Sequence, residues 1–301
     1  VLFRSWANWV LPADQQLRTA EVQGDLQRGG QIGQLHWQKE GLQVHISQAD
    51  VQLDWSRLWD QPWPVKQLRM GSLHIDDQSP PKAPTPLTSL ILPMKVQMAW
   101  QVDRLSWQKL AEPVLSDVRG QYAYDGQQHT LSLEEFKMAQ GRYTLQAQLQ
   151  AAAPMALNLQ WQGQVQMPGH AGRSGRSSPT LDLHASVQGK LSGAQAQLDV
   201  QAQLAPTGTH PKLSPPSAQI GPAPSAELMQ LQLQALIQPW QKQVVVQAHI
   251  EGHALDLALL WPGAPQTRLT GQAKGVPDAQ GWHLETQWRN LNAGPWDLQR
   301  L

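Results

Sequence analysis

Residues 155–167 read MALNLQWQGQVQM, and apolar or small side chains alternate with polar ones along the run. The odd-numbered positions from Met155 to Met167 hold methionine, leucine, tryptophan, glycine and valine, while the even-numbered positions hold alanine, asparagine and glutamine. Because successive side chains of a β-strand point to opposite faces, the run predicts a strand with one apolar and one solvated face. A helix of the same sequence would mix the two sets around its surface.

The same alternation recurs along most of the chain. Turn signals such as Asp125-Gly126 and Gln140-Gly141 separate several of the runs, and Asp-Gly is typical of tight hairpins. The pattern therefore predicts an all-β protein built as a long antiparallel meander. The further alternating runs are 42–46, 51–55, 94–102, 131–133, 143–149, 181–187, 196–204, 231–237, 244–250 and 255–261.

Helical signals are few, and this raises the question of what covers the apolar face. The segments 56–61 and 109–112 could each form one turn, which Pro62 and Pro113 would end. Without a helical layer, the sheet must close on itself as a sandwich or barrel, or curl into an open trough that something else fills. The apolar positions are mainly Leu, Val and Ala, which suit acyl chains but also occur in ordinary sandwiches, so the residues alone leave both solutions open.

Composition narrows the function. The 301 residues contain 23 Lys plus Arg and 23 Asp plus Glu, so the formal net charge is zero. A nucleic-acid groove needs clustered cations, so we expect no nucleic-acid partner. The absence of cysteine excludes disulfides, thiolate catalysis and cysteine-based zinc sites. The 14 tryptophans, against 3 tyrosines and 2 phenylalanines, suit strand ends, groove rims and membrane-like interfaces.

Three segments rich in proline, glycine or serine interrupt the alternation, at 76–86, 168–179 and 205–224. Such compositions form loops. The strands have the same composition on both sides of each segment, so we expect flexible insertions in one continuous region, 1–301. The chain begins with Val1 and stops within a repeating pattern, so we interpret it as an internal piece of a longer protein.

The sequence offers no convincing catalytic centre. Glu134 and Glu135 are adjacent, so on a strand they point to opposite faces and cannot form an acid/base pair. A nucleophile elbow or a Ser/His/Asp arrangement is not found, and a β-helix polysaccharide hydrolase would need paired carboxylates. We therefore expect no enzyme activity and no cofactor.

Two further motifs have a functional and an ordinary interpretation. His249, Glu251 and His253 share one face of a strand, as metal ligands would, but they also form the wet face opposite apolar neighbours, and we expect no metal. The stretch 169–176, with three glycines and two arginines, resembles a phosphate loop but lacks its strand-to-helix context. It could also be a cationic loop that touches lipid headgroups, or a plain insertion.

Several short motifs stand out in the sequence, which are LILPMKV at 90–96, QPW at 238–240, LDLALLWPGAP at 255–265, RLTGQ at 268–272 and WRNLNAGPWD at 288–297. They resemble the TamB family (translocation and assembly module subunit) of AsmA-like bridge-type lipid transporters. The order strand, Leu-Asp-Trp, helical turn, strand around 53–55 is similar to the N-terminal region of that family. The resemblance covers most of the chain but fades at 168–179 and 205–224.

The resemblance implies the open trough and a function. TamB-like proteins are anchored in the inner membrane, cross the periplasm and meet the outer-membrane barrel protein TamA through a C-terminal domain, and both the anchor and that domain are absent from this chain. They are linked to phospholipid transport and to outer-membrane protein assembly. The implied partners are phospholipid acyl chains, and the implied groove lining is Val96, Met98, Trp100, Leu131, Leu133, Leu145, Leu149, Leu157, Leu159, Trp161, Val165, Leu181, Leu183, Val187, Leu198, Val200, Leu231, Leu233, Val244, Val246, Ile250, Leu255 and Leu257.

A scaffold is the alternative function. In that interpretation, exposed strand edges would pair with strands of outer-membrane β-barrel proteins and assist their assembly. A conduit would act through the side chains that line its apolar face, whereas a scaffold would act through the backbone of its edge strands. Trp100, Trp161 and Trp261 lie on the apolar side of their runs and fit either groove lining or an ordinary core.

Limited proteolysis tests the loop assignment. Protease should cut within 168–179 and 205–224, because Gly, Ser and Pro-rich loops expose their backbone. The flanking strands should stay associated on size-exclusion chromatography. Separation into independently folded parts would show that one of these segments is a domain boundary.

Overall fold

The computed structural model describes residues 15–25, 29–56, 64–80, 84–108, 114–166, 180–207, 229–260, 264–278 and 281–292. These residues form fifteen strands and one four-residue helix. The elements are β1 Gln15–Asp25, β2 Gly29–Lys39, β3 Leu42–Leu53, β4 Val65–Asp77, β5 Val96–Trp107, β6 Leu115–Tyr124, β7 Gln128–Met138, β8 Gly141–Gln150, β9 Ala156–Gln166, β10 Thr180–Lys190, β11 Gln197–Pro206, β12 Gln230–Ile237, β13 Val245–Leu255, α1 Leu257–Leu260, β14 Leu269–Pro277 and β15 Trp282–Asn290.

The strands hydrogen-bond in the order of the sequence, as one open sheet with β1 and β15 at its edges. The predicted all-β fold is therefore confirmed. The chain divides into two compact units, with unit 1 at 1–159 and unit 2 at 160–301.

One strand pair departs from the predicted antiparallel meander. β4 and β5 are parallel, and Leu68 lies beside Trp100 and Met70 beside Val102. Parallel neighbours begin at the same end of the sheet, so the chain between them, 78–95, must return along the length of a strand. The proline-rich stretch 76–86, predicted as an insertion, contains the end of β4 and the first part of this crossover.

In unit 1, the register gathers the apolar side chains on one face. Trp37 pairs with Val44, Val44 with Ile75, and Ile75 lies beside Trp107. Directly paired residues point to the same side of a sheet, so such rows continue across successive strands. We call this side the apolar face and the opposite side the polar face.

In each of the strands β1 to β6, the alternation of apolar and polar residues shifts by one position. The shifted positions lie side by side across neighbouring strands. In β3, for example, the even positions 42–46 are apolar before Gln48, and the odd positions 49–53 are apolar after it. The residues at the shift, here called the bulge row, face one another because the pairs on either side are in register. They are Glu21, Gly33, Gln48, Gly71, Asp103 and Asp117.

The backbone of the bulge row is unusual for strands. Glu21, Gln48 and Asp117 have φ angles of 56°, 55° and 52°. Gly33 and Gly71 stand opposite two of them, and a Cβ on Gly33 would lie 2.7 Å from the Cβ of Glu21. Glycine is therefore required at Gly33, because a side chain there would collide with the bulged residue of the neighbouring strand.

The bulge row gives each strand an extra residue on the polar face. An extra residue lengthens that side by about 3.3 Å, so we infer that the strands bend towards the apolar face at this level. Burial agrees, because four residues of the apolar row beside the bulge row are buried. Ala49, Met70, Val102 and Val118 are 4%, 7%, 0% and 1% exposed.

Unit 2 repeats the two-faced arrangement. Val187 pairs with Val200, Leu198 with Ile237, and Leu233 with Ile250. Its core lies at one end of the strands, where Leu181, Met229 and Leu255 are buried together. The half-buried side chains packed against this core are Val165, Leu204, Leu231 and Leu269.

The strand predicted at 255–261 is wrong for 256–260, and residue 261 lies outside the described residues. β13 ends at Leu255 and the helix α1 follows. Ala254 has a φ of 48°, which interrupts the strand. Asp256 Oδ1 then accepts hydrogen bonds from the N–H groups of Ala258 and Thr267, both at 3.1 Å, so its carboxylate caps the helix and anchors the loop behind it.

Other predictions from the sequence fall mostly outside the described residues. The helical turns at 56–61 and 109–112 do so except for Ser56, as does the whole loop 168–179. In the predicted loop 205–224, Ala205 and Pro206 belong to β11. Thr207 follows that strand, and the remainder lies outside the described part.

Truncating Val102 should destabilise unit 1 far more than truncating Val22. Both valines lie in the apolar row beside the bulge row, but Val102 is fully buried and Val22, on the edge strand, is 49% exposed. Val102→Ala should lower the free energy of unfolding by about 2–3 kcal/mol through lost burial and a cavity. Val22→Ala should lower it by less than about 1 kcal/mol. Urea denaturation measures both, and equal losses would contradict the burial described.

Candidate functional site

The apolar faces are free of charged side chains over most of their area. In the described strands, away from the first two and last two residues of each, every Asp, Glu, Lys and Arg lies on the polar face or in the bulge row. A charge buried without a partner costs several kcal/mol or shifts its pKa, so this segregation keeps the apolar faces suited to hydrocarbon.

In unit 1, the predicted lining residues of β5 to β8 lie on the apolar face. One row runs from Trp100 past Gly120 to Leu133 and Leu145. The rows beside it contain the remaining predicted residues of these strands, which are Val96, Met98, Leu131 and Leu149.

The alternating run in β9 shows the predicted pattern directly in its burial. Leu157, Leu159, Trp161 and Val165 are half-buried, whereas the polar residues between them are exposed. This is the pattern of a strand with one covered and one solvated side.

In unit 2, most predicted lining residues share the apolar face. Leu183, Val187, Val200 and Leu233 are half-buried there, while Leu181 and Leu198 are buried. Leu231 packs against the buried end, and Ile250 is 36% exposed.

Four predicted lining residues have different surroundings. Val244 precedes β13 and is 46% exposed. Val246 lies at a register shift, where Ile237 pairs with Val245. Leu255 belongs to the buried end of unit 2, and Leu257 begins helix α1.

The predicted lining set leaves out β1 to β4, although their apolar side chains lie on the same apolar face of unit 1. The signal was present, because the apolar positions switch from even to odd across Gln48 and from odd to even across Glu21. When the apolar residues change from even to odd positions, a simple alternation rule predicts that the strand ends there. A β-bulge allows the strand to continue with its apolar residues on the same face.

A buried histidine connects the crossover to the apolar face of unit 1. His129 pairs with Tyr124 and Leu149 on that face, and its Nδ1 lies 2.7 Å from the hydroxyl of Tyr122. The Tyr122 hydroxyl donates to Nδ1, which leaves the Nε2 proton of His129 to donate to the carbonyl of Leu90 at 2.6 Å. Burial raises the pKa of Tyr122, so this hydroxyl keeps its proton.

The crossover itself presents apolar side chains to solvent. The N–H of Leu90 donates to the carbonyl of Ala151 at 2.7 Å. Leu87, Leu90, Ile91 and Met94 are 38%, 42%, 62% and 38% exposed.

The edge strand β15 also carries exposed apolar residues. Trp282, Leu284 and Trp288 are 50%, 64% and 39% exposed and lie on the apolar face of unit 2. The Trp288 indole lies against Gly252 and Gly271, where an added Cβ would come within 2.7 Å and 2.9 Å of the ring. The two glycines therefore allow the indole to lie close to the backbone of the sheet.

The histidine-glutamate trio stays on the polar face, as its alternation predicts. His249 Nε2 lies 2.7 Å from Glu251 Oε1, and His253 pairs with Gln230. Among the residues that the structure describes, no group of three or more His, Asp or Glu side chains is arranged to hold a metal ion. The glycine-arginine stretch 169–176 and Trp261 lie outside those residues.

Three other histidines, which look scattered in the sequence, come together on the polar face of unit 1. His36 pairs with His45, and His45 with His74, on three successive strands. His36 Nδ1 is 3.0 Å from His45 Nδ1 and 3.1 Å from His45 Nε2. His74 Nδ1 lies 2.9 Å from the hydroxyl of Ser106 on β5.

The surroundings of His45 disfavour its protonated form. Partial burial is the largest cause that lowers its pKa below the usual value, and His36 and His74 lower it further. Asp76 partly offsets this because its negative charge favours the protonated ring.

Comparison with protein-family models, with curated proteins and with solved structures gave no match. Within the described ranges, the structure holds no helix long and apolar enough to cross a membrane.

The histidine row predicts a pH-dependent stability. Because the pKa of His45 is depressed in the folded state, the unfolded chain binds more protons as the pH falls below about 6.5. The free energy of unfolding should therefore decrease through that range, and His45→Gln, which cannot titrate, should decrease less. Urea denaturation at about pH 7.5 and about pH 5.5 measures the difference, and identical pH dependence in the two proteins would contradict the assignment.

Proposed function

We propose that the apolar faces of this protein bind the acyl chains of phospholipid and carry them along the sheet. The observation that supports this most is the charge-free face of half-exposed aliphatic side chains. A sealed core would bury such residues completely, whereas most of those in β10 to β12 remain partly accessible.

The chemistry of the lining fits sliding rather than capture. An acyl chain in water costs about 0.8 kcal/mol per CH₂, so an apolar face provides a strong general attraction. Successive Leu, Val and Ala positions in β10 to β12 offer similar burial at each step. A chain can therefore move along the face without a deep minimum in which it would stall.

The resemblance to the TamB family supplies the setting for the proposal. We propose a periplasmic protein that passes phospholipid between the inner and outer membranes, is anchored to the inner membrane through another segment, and supports outer-membrane biogenesis. Contact with a TamA-like barrel protein would be made through a C-terminal domain.

A scaffold for β-barrel assembly is the second candidate, and the edge strand β15 favours it. An edge strand has unpaired backbone N–H and C=O groups on its outer side, which can template a further strand. The exposed Trp282 and Leu284 would add side-chain contacts to an incoming amphipathic strand.

A matched pair of substitutions in β12 tests the conduit. Leu233 lies on the apolar face between Ala202 and Ile250, whereas Gln234 lies on the polar face between Gln201 and His249. Leu233→Asp places a charge in the path of the acyl chains, which should lower lipid binding several-fold because a carboxylate disfavours an apolar neighbour. Gln234→Asp should have little effect.

The measurement is mass spectrometry of co-purified phospholipid, together with lipid photo-crosslinking from a probe at Val200 in the complete protein. Circular dichroism confirms that each variant is folded. Equal lipid yields from two folded variants would remove the main support for the conduit and favour the scaffold. Unfolding by Leu233→Asp alone would indicate a sealed core, which Ile250→Ser, at a 36% exposed position on the same face, tests independently.

A further inference from the structure

The polar face of unit 2 has a concavity that the lipid proposal does not use. Its volume is about 490 Å³, within the range of roughly 300–1,000 Å³ that is typical of ligand sites. It is lined by polar side chains from the four successive strands β12 to β15 and by Gly252 and Gly271. Such a lining suits a ligand that binds through hydrogen bonds, unlike the lining of the apolar faces.

Two rows of facing residues form the walls of this concavity, which we call the amide groove. The second row contains Gln230, which pairs with His253, and Thr270. Gly252 and Gly271 pair between the two rows, so their backbone forms the floor. The first row, with one residue on each of β12 to β15, consists of Gln232, Glu251, Gln272 and Gln287.

A bulge in β13 widens the groove at this level. Gly252 pairs with Gly271, but the next pair is Leu255 with Leu269, so β13 has one more residue than β14 between these pairs. A bulge increases the local twist of a sheet, which separates the two rows beside Gly252.

The side chains of the groove are recessed compared with the neighbouring polar row. Gln232 on β12 and Gln272 on β14 are half-buried. Gln234 and Lys274, two residues further along the same strands and on the same face, are exposed. The amide groups of the first row therefore lie within a concavity and not on a flat surface.

The four glutamines of the groove have unused hydrogen-bonding groups. Within the part of the chain that the structure describes, their side chains form no hydrogen bond to another protein group. Each amide presents two N–H donors and a carbonyl acceptor in one plane. An amide without a protein partner binds water, and a ligand that both donates and accepts hydrogen bonds can replace this water.

Two further groups of the groove are positioned by hydrogen bonds within the protein. His249 Nε2 lies 2.7 Å from Glu251 Oε1. Among the described residues, the buried His249 Nδ1 has no partner, so the ring carries its proton on Nε2 and donates it to Glu251. The Thr270 hydroxyl oxygen accepts the N–H of Ala254 at 3.0 Å, which leaves the hydroxyl proton for a ligand.

The spacing of the first row fits a chain of linked sugars. Neighbouring strands lie about 4.7–4.9 Å apart, so the facing residues repeat at that interval. One sugar of an extended β-1,4-linked glycan advances the chain by nearly the same length, and its hydroxyls both donate and accept hydrogen bonds.

Other ligand classes fit the groove less well. A phosphate or carboxylate ligand needs cationic partners, and the described residues that line the groove include no Lys or Arg. An extended peptide has alternating donors and acceptors, but its main chain pairs with the edge of a sheet and not with a face.

We propose that the amide groove binds an extended, uncharged β-1,4-linked glycan that lies across β12 to β15. Gln232, Gln272 and Gln287 contact the sugars through their amides, and Glu251 accepts a hydrogen bond from a hydroxyl between them. The binding is weak, because each of these hydrogen bonds replaces one to water. The groove lies on the opposite side of the sheet from the apolar face, so this site does not depend on the proposed lipid function.

Saturation-transfer NMR of the folded protein with two tetrasaccharides tests the proposal. Cellotetraose is extended and has one sugar for each of the four strands. Maltotetraose has the same sugars in the same number, but its α-1,4 linkages curve the chain away from a flat row. We expect saturation transfer and a measurable affinity for cellotetraose at millimolar concentration, and a much weaker signal for maltotetraose. A capped glycine-serine peptide of similar length should also give a much weaker signal.

Substitutions on the polar face test whether the groove is the site. Gln232→Ala and Gln272→Ala should each weaken cellotetraose binding about twofold to tenfold, which corresponds to one net hydrogen bond of about 0.5–1.5 kcal/mol. Gln287→Ala should have the same effect with little risk to folding, since this side chain is exposed on the edge strand. The control Gln201→Ala, at an exposed position of β11 outside the groove, should bind as the unmodified protein does.

Four outcomes would overturn the proposal. They are equal binding of the two tetrasaccharides or none of cellotetraose, stronger binding of the peptide, unchanged cellotetraose affinity in the folded groove variants, and an equal loss of affinity in Gln201→Ala. Circular dichroism of each variant shows whether it is folded. If Gln232→Ala or Gln272→Ala is unstable, the exposed position in Gln287→Ala still decides the result.

Discussion

The structure depends on keeping charge off one side of the sheet. Because side chains of a strand alternate, a slip of one residue in any strand would move its charged residues onto the apolar face. In β11, for example, Asp199 is exposed beside Leu198, which is buried, so a slip would exchange them. The register of each strand pair is therefore set by the cost of placing a carboxylate or an ammonium group among aliphatic side chains.

The bulge row of unit 1 also keeps charged residues off the apolar face, while it changes the direction of the strands. An extra residue in one strand alone would exchange its two faces relative to its neighbours. Here the extra residue occurs at the same level in six successive strands, so Val102 and Leu105 stay on the apolar face on opposite sides of Asp103. The parallel pairing of β4 and β5 preserves the row, since Met70 remains beside Val102.

The two faces divide the chemistry of the protein between them. The apolar faces offer half-exposed aliphatic residues without charge, which supports the proposed lipid function, and tryptophans stand at the edge strand β15. The polar faces hold the ionisable groups, among them the Asp117–Lys137 pair, whose nitrogen and oxygen are 2.6 Å apart, and the histidine row. Lys137 is the main cause that lowers the pKa of Asp117, through a hydrogen bond at the bulge row.

The sequence by itself determined the all-β class and the face on which most predicted lining residues lie. The reason is that the alternation of apolar and polar residues is set within each strand, and the pairing register only aligns it between strands. It did not determine how a strand continues where its apolar residues change from even to odd positions, so β1 to β4 were left out of the predicted apolar face. Leu257 was placed on a strand instead of in α1. Only the tertiary structure decided the parallel β4–β5 pair and the meeting of His36, His45 and His74. These features depend on which distant strands become neighbours. Strands pair through backbone hydrogen bonds, which every sequence can make, so the residue pattern does not show which strands will pair.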